Sequence, residues 1–271
     1  MNRRFAIIKN TLLERNLGGN FKNWFLNIFC PSCEILSKFK INKIDTDDKF
    51  NLIWLKGYDT PVVLSKTISI HSINQVVAEQ FYKWSWHYYQ IAETMVHQDD
   101  VVFDCGSAEG IFSFITRANC KKVFAFEPLQ EYLDGLKRTF SGINNVFVVN
   151  EALGDEIGTV FFEKSGISSQ VSEIETKTVV KINTIDNFCQ THKTQVNYIK
   201  ADIEGFESNL LRGAENSIRF YKPKIAITVY HPENNVLEIK TYLASLVSDY
   251  KFKVKGVSDL KNHPVMLHAW V

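Results

Sequence analysis

From residue 101 onward, short apolar runs alternate with stretches of helical periodicity. Val101 to Phe103 reads as a buried strand, Gly106 and Gly110 punctuate a turn, and positions 111–118 carry apolar residues at helical spacing. A second strand follows at 123–126. The pattern then predicts a helix at 129–140, a strand at 146–149, and two antiparallel strands at 158–163 and 178–182. A Thr-capped helix begins at Thr184, and strand 196–201, helix 206–219, strand 224–229 and helix 236–247 come next. Two last strands lie near 252–257 and 265–270. Strands that alternate with helices predict an α/β fold, a mostly parallel sheet covered on both faces.

The first 95 residues follow another pattern. They are rich in aromatic side chains and contain no strand–glycine turn–helix unit. Positions 2–16 have helical spacing, Gly18-Gly19 breaks it, and Pro31 interrupts whatever 24–36 form. Positions 50–70 alternate weakly, as short strands do. Phe81, Trp84, Tyr88, Ile91 and Met95 fall at helical spacing and predict an amphipathic helix over 81–95, with Trp86, His87 and Tyr89 off its apolar stripe. The expected division is therefore an N-terminal mixed extension, residues 1–95, serving substrate recognition or oligomerisation, and a catalytic domain at 96–271. The polar stretch 165–176, with Ser168 and Ser169, reads as a surface loop or a flap.

Composition narrows the function classes. The 271 residues can form one large domain or a domain with an appendage. Lys and Arg number 31 against 30 Asp and Glu, a formal charge of +1, so no bulk attraction to nucleic acid or anionic lipid is expected. The apolar run before Lys9 is too short for a signal-peptide core, and no stretch reaches membrane-spanning length. A cytoplasmic protein without a transmembrane segment is the expectation. Five cysteines, an odd number, predict reduced thiols. Cys30-Pro-Ser-Cys33 suits a redox pair or half a zinc site, and the sequence places no further ligands beside it.

The chemistry centres on Asp104-Cys-Gly106-Ser107-Ala-Glu109-Gly110. A dinucleotide site favours G-x-G-x-x-G with pyrophosphate at the helix start, whereas the spacing here is Asp-x-Gly-x-x-x-Gly. Asp104 and Glu109 beside the turn would repel a pyrophosphate and suit a cation. Glu127 closes the next strand, where an acidic side chain can accept both hydroxyls of a ribose. A nucleoside with positive charge and no phosphate matches: S-adenosylmethionine carries an ammonium and a sulfonium.

A second constellation stands at two later strand ends: Asp202, Glu204 and Gly205 after one, Tyr230 and His231 after the next. In a doubly wound sheet such ends face the ligand crevice. Together with Phe126-Glu127-Pro128, Glu151-Ala152-Leu-Gly-Asp and Thr184-Ile-Asp-Asn-Phe, the segment Ile199-Lys-Ala-Asp-Ile-Glu-Gly-Phe-Glu207 resembles the FkbM family of S-adenosylmethionine-dependent methyltransferases over about residues 95–271. The resemblance implies a Rossmann-like seven-stranded class I methyltransferase sheet with an antiparallel last strand, and O-methylation of a hydroxyl on a sugar, glycan or secondary metabolite. It implies that Asp104, Gly106, Ser107 and Gly110 form the cofactor turn, that Glu127 holds the ribose, and that Glu151 and Ala152 lie beside the adenine. Asp202 or His231 is the expected general base, with Glu204 and Tyr230 toward the substrate. A divalent metal held by Asp202, Glu204 and His231 is the competing reading and is not favoured. Against a nucleic-acid amino-methyltransferase, the slot after the fourth strand reads Ala-Asp-Ile-Glu and not Asn/Asp-Pro-Pro-Tyr/Phe. An NAD(P)-dependent oxidoreductase and a non-catalytic S-adenosylmethionine-binding partner subunit remain as alternatives from other classes.

Overall fold

The computed structural model describes residues 29, 31–163, 170–172, 178–231, 233–257 and 264–271. The predicted helix at 2–16, Gly18-Gly19, Cys30 and most of 165–176, including Ser168 and Ser169, lie outside them.

A seven-stranded sheet carries the molecule. It contains β4 (Val101–Cys105), β5 (Lys122–Phe126), β6 (Val146–Val149), β11 (Tyr198–Ala201), β12 (Lys224–Thr228), β13 (Lys251–Val257) and β14 (Pro264–Trp270), in the order β6-β5-β4-β11-β12-β14-β13. From β6 to β12 every pairing is parallel, while β14 runs antiparallel to both its neighbours. This is the Rossmann-like class I arrangement, with the last strand reversed. Because β4 leads outward to β5 on one side and has β11 on the other, the sheet's switch point lies between β4 and β11, where a crevice opens beyond the strand ends. The central strands are buried on both faces, which explains their unbroken apolar runs.

On one face Phe103, Phe124 and Phe126 pack edge-on or tilted against Phe188 of α5 (Ile185–Thr191), with centroids 4.8 to 5.5 Å apart. α5 starts where predicted, and Thr184 Oγ1 accepts the Asn187 amide. α3 (Ile111–Thr116) and α4 (Gln130–Thr139) cover the opposite face; α8 (Val236–Leu246) packs on the same side as α5. A smaller sheet of β7 (Ala152–Leu153), β8 (Gly158–Glu163), β9 (Gln170–Ser172) and β10 (Thr178–Asn183) follows β6.

The extension contributes α1 (Cys33–Lys38), an antiparallel sheet of β1 (Ile41–Thr46), β2 (Phe50–Leu55) and β3 (Val62–Ser65), and α2 (Ile70–Phe81). Its β3 lies on α4 so closely that a Cβ on Gly135 would stand 2.4 Å from the Val63 carbonyl. Thr139 Oγ1 accepts the Val63 amide at 2.8 Å. Ile53, Val62, Ile73 and Val77 belong to the same buried cluster as Val102, Ile111, Phe114 and Leu136. The aromatic-rich extension is thus mixed in structure and shares the main core.

Two expectations are corrected. No helix spans 81–95: α2 ends at Phe81, and residues 82–96 run irregularly. There Ser85 Oγ takes the His87 amide and Gln90 Oε1 takes that of Val96, while the amides of Ser85, Tyr88 and Thr94 close four-residue turns. Side chains that capture backbone donors compete directly with a helix. The helix predicted at 206–219 is two, α6 (Glu207–Arg212) and α7 (Glu215–Tyr221), because the chain at Gly213 presses on Gly154, where a Cβ would meet its carbonyl at 1.9 Å. Among the described residues no helix is long and apolar enough to cross a membrane.

Candidate active site

The turn after β4 is held from behind. Across the β4–β11 pairing Lys200 stands opposite Asp104, and its Nζ lies 2.9 Å from Asp104 Oδ1. Ser113 Oγ donates to Asp104 Oδ2 at 2.6 Å, and Lys200 Nζ also donates to the Gly106 carbonyl at 2.5 Å. Burial pulls the ammonium of Lys200 down, but the carboxylates of Asp104 and then Asp202 outweigh it and hold it above its ordinary value. Gly106 has φ +74°, and a Cβ there would stand 2.1 Å from the Asp202 carbonyl, so only glycine fits. Ser107 turns inward, its Oγ donating to the carbonyls of Asp104 and Phe126. Gly110 seats α3 on α4, since a Cβ there would meet Leu136 at 2.4 Å. Asp104, Ser107 and Gly110 therefore shape the turn, and none of the three lines the cleft directly.

The cleft itself is open to solvent on one side and is lined mainly by apolar surface with a few acidic groups. Gly106, Ala108 and Glu127 line one side, and Glu151, Ala152 and Leu153 another. Ile203 and Phe206 close it with apolar surface, while Asp202 and Glu204 supply acidic groups. Glu127 Oε2 accepts the Ala108 amide and Oε1 the Leu129 amide, each at 2.9 Å. Burial, partly offset by those amides, pushes its carboxyl up to about 7. Each oxygen keeps a lone pair for a further donor. Glu151 is oriented by Asn183, whose Nδ2 donates to it at 2.9 Å.

Beyond the cleft floor the ends of β11 and β12 meet. Asp202 Oδ2 accepts the Tyr89 hydroxyl at 2.5 Å, and Oδ1 lies 3.1 Å from Thr228 Oγ1, which shares its one proton with Glu207 Oε1 at 3.0 Å. Tyr89 comes from the irregular segment of the extension and is fixed in turn by Tyr198, whose hydroxyl donates to its carbonyl at 2.6 Å. Glu204 (φ +59°) and Gly205 (φ +104°) turn the chain sharply, a strained conformation for Glu204. Burial, then the charges of Asp202 and Glu207, raise the Glu204 carboxyl to about 8. His231 Nε2 lies 3.4 Å from Glu204 Oε2 and has no hydrogen-bond partner among the described residues. Tyr230 packs between His231 and His87, with ring centroids 4.1 and 5.7 Å away. The structure thus brings Asp202, Glu204, Tyr230 and His231 together, but only Asp202 and Glu204 of these border the cleft.

The metal-type cluster here is Asp202, Glu207 and His231, with ligand atoms within 4.8 Å of one another, and not the expected trio with Glu204. Glu207 is spoken for. Oε1 accepts the Ile203 amide and Thr228 Oγ1, and Oε2 accepts the Gly205 amide and Asn234 Nδ2. With its lone pairs so occupied, Glu207 braces the 203–205 loop and does not fit as a metal ligand.

Sequence reasoning missed Lys200, Glu207, Thr228 and Tyr89 as members of this centre. Lys200 left a legible signal: a lysine inside a buried strand requires a paired anion. Tyr89 left none, because nothing local tells where an irregular segment docks.

The comparisons agree with this geometry. Residues 104–254 match the family described as the Methyltransferase FkbM domain. A curated relative, the Hexuronic acid methyltransferase AglP of Haloferax volcanii, is 31% identical over 129 residues, 45% of this chain and 53% of the relative. The chain thus spans about half the length of the curated relative it matches. Among solved structures, the methyltransferase FkbM of Methylobacillus flagellatus KT superposes with a TM-score of 0.51 at 19% identity, over 74% of this chain and 53% of that one, a likeness of fold. The glycine turn, the carboxylate at the end of β5 and the acidic segment after β11 all fall inside the matched range, and on that ground the chain belongs to the FkbM methyltransferase domain family.

Proposed function

We propose that this protein is an S-adenosylmethionine-dependent O-methyltransferase acting on a hydroxyl of a sugar or glycan. The observation that carries the reading is the position of Asp202: it borders the same cleft as Glu127 and Gly106, yet its direct hydrogen-bond donors are the neutral hydroxyls of Tyr89 and Thr228. The cleft's features support the cofactor. Gly106 leaves no room for a side chain, Glu127 retains acceptor capacity at both oxygens, and Ala152, Leu153 and Phe206 offer an apolar slot. Glu127 would hold the ribose hydroxyls, Glu151 and Ala152 would border the adenine, and the acidic surroundings suit a cationic ligand. When bound, S-adenosylmethionine supplies an electrophilic methyl group.

The protein's own residues supply position and proton transfer. An alcohol is a poor nucleophile unless its proton is removed as the new bond forms. Asp202 takes that proton. Tyr89 and Thr228 hold the carboxylate in one orientation, and alignment of the acceptor oxygen contributes the rest. Glu204 and Tyr230 orient the acceptor, and His231 backs Glu204. Residues before 96 select the acceptor, since Tyr89 and His87 reach this centre from the extension. The hexuronic acid named for the relative supports a sugar acceptor.

The test has two arms. Calorimetry with S-adenosylhomocysteine is expected to show binding, and NADH is not. Incubation with isotope-labelled methyl donor and a panel of monosaccharides, uronic acids and glycans, followed by mass analysis, is expected to label a hydroxyl. Folded protein that binds NADH and ignores S-adenosylhomocysteine would overturn the reading.

A further inference from the structure

Cys33, the described member of the sequence's C-x-x-C, does not line the cleft. It opens α1, next to Glu34. Helix α2 lies alongside with its own start at the same end: Ser37 Oγ donates to Asn74 Oδ1 at 2.7 Å, and Tyr82 donates to the Leu36 carbonyl at 3.0 Å. This pairing carries His71, in the first turn of α2, to Glu34, with Nδ1 2.7 Å from Oε1. A thiol, a carboxylate and an imidazole, from positions 37 residues apart in sequence, then have ligand atoms within 4.8 Å of one another.

We propose that Cys33, Glu34 and His71 bind a zinc ion that pins α1 to α2. Sulfur, nitrogen and oxygen donors in one group are the set that zinc accepts and that magnesium or calcium does not. The contrast with Asp202, Glu207 and His231 is one of exposure, because Glu207 there is fully buried and held by four donors. Here Glu34 takes its own amide, Ser32, His71 and Cys33, but it and His71 stand well exposed, so an ion arriving from solvent can replace the contacts with the thiol and the imidazole. The sequence adds a separate indication: Cys33 ends a Cys30-x-x-Cys33 spacing, common in zinc sites, although Cys30 lies outside the described residues. Zinc uptake replaces the thiol proton of Cys33 by a sulfur–zinc bond and releases that proton to solvent, so affinity rises with pH. The site is independent of the methyl-transfer reading.

The test uses the full chain under a non-thiol reductant. After equilibration with micromolar zinc and gel filtration, elemental analysis is expected to find about one zinc per chain. Cobalt in its place is expected to show thiolate-to-metal charge-transfer absorption. Cys33→Ser and the exposed His71→Ala are each expected to weaken zinc binding by more than about tenfold, with circular dichroism unchanged. His231→Ala, in the other cluster, is expected to leave zinc content intact. The proposal is overturned if the reduced protein retains no zinc, if Cys33→Ser and His71→Ala bind it like the parent, or if His231→Ala alone removes it.

Discussion

Asp104 and Asp202 stand at the ends of adjacent strands and are used in opposite ways. Asp104 is fully buried, and its partners are the ammonium of Lys200 and the hydroxyl of Ser113. Asp202 borders the cleft, and two neutral hydroxyls hold it. Strand register causes the difference, because it places Lys200 directly across from Asp104. One carboxylate fixes the glycine turn; the other is held by neutral hydroxyls at the edge of the cleft. The position of a charge at a strand end therefore does not declare its use; the partner beside it does.

The strongest way to break the contrast is Lys200→Met, which leaves the buried Asp104 carboxylate without its cation. A loss of about 3–5 kcal/mol in stability by chemical denaturation is expected. Adding Asp104→Asn should recover part of that loss by removing the orphaned charge. On the other side, Asp202→Asn should lower turnover by about 10²–10⁴-fold, with S-adenosylhomocysteine binding retained in calorimetry. Equal turnover in this variant would transfer the role of base elsewhere, with His231 the first to examine. Glu127→Ala should weaken S-adenosylhomocysteine binding by about 10–100-fold, the worth of charge-assisted hydrogen bonds, with smaller effect on acceptor binding. Tyr89→Phe removes one orienting donor of Asp202 and should cost about 1 kcal/mol, a drop of roughly fivefold in turnover at unchanged cofactor affinity.

A further effect is one of pH. The Glu204 carboxyl stands at about 8 in the folded chain against an ordinary 4.5, so folding favours its protonated form. That contribution is complete below about pH 4.5 and is lost as pH rises through about 8. Glu204→Gln should thus match the parent protein in thermal unfolding under acidic conditions and exceed it above about pH 8. Parallel curves across that window would remove the assignment of Glu204 as a buried, charge-crowded acid.

The catalytic half of the fold was readable because its signals are local. Buried runs such as Val101 to Phe103, the glycines at 106 and 110 and the threonine cap at 184 each specify their own backbone. The same is true of Gly106, Glu127 and Asp202, which mark the ends of strands whose order the α/β pattern implies. Helix 81–95 was misread because its apolar spacing arises from packing, while Ser85 and Gln90 take the backbone amides. That Asp104, Ser107 and Gly110 shape the turn from behind was not readable, because sequence places a residue at a turn without saying which way it points. Tyr89 depends on a contact 113 positions away and carried no local mark, and Glu207, though it caps its own loop, is completed by Asn234 27 positions on.

The seating of β3 on the bare backbone at Gly135 means that the front of the chain is not a detachable module. Excision after residue 95 would strip the hydrophobic cover from α3 and α4 and take Tyr89 away from Asp202 in the same cut. Any transfer of this front layer between relatives would accordingly have to carry the helix surface beneath it.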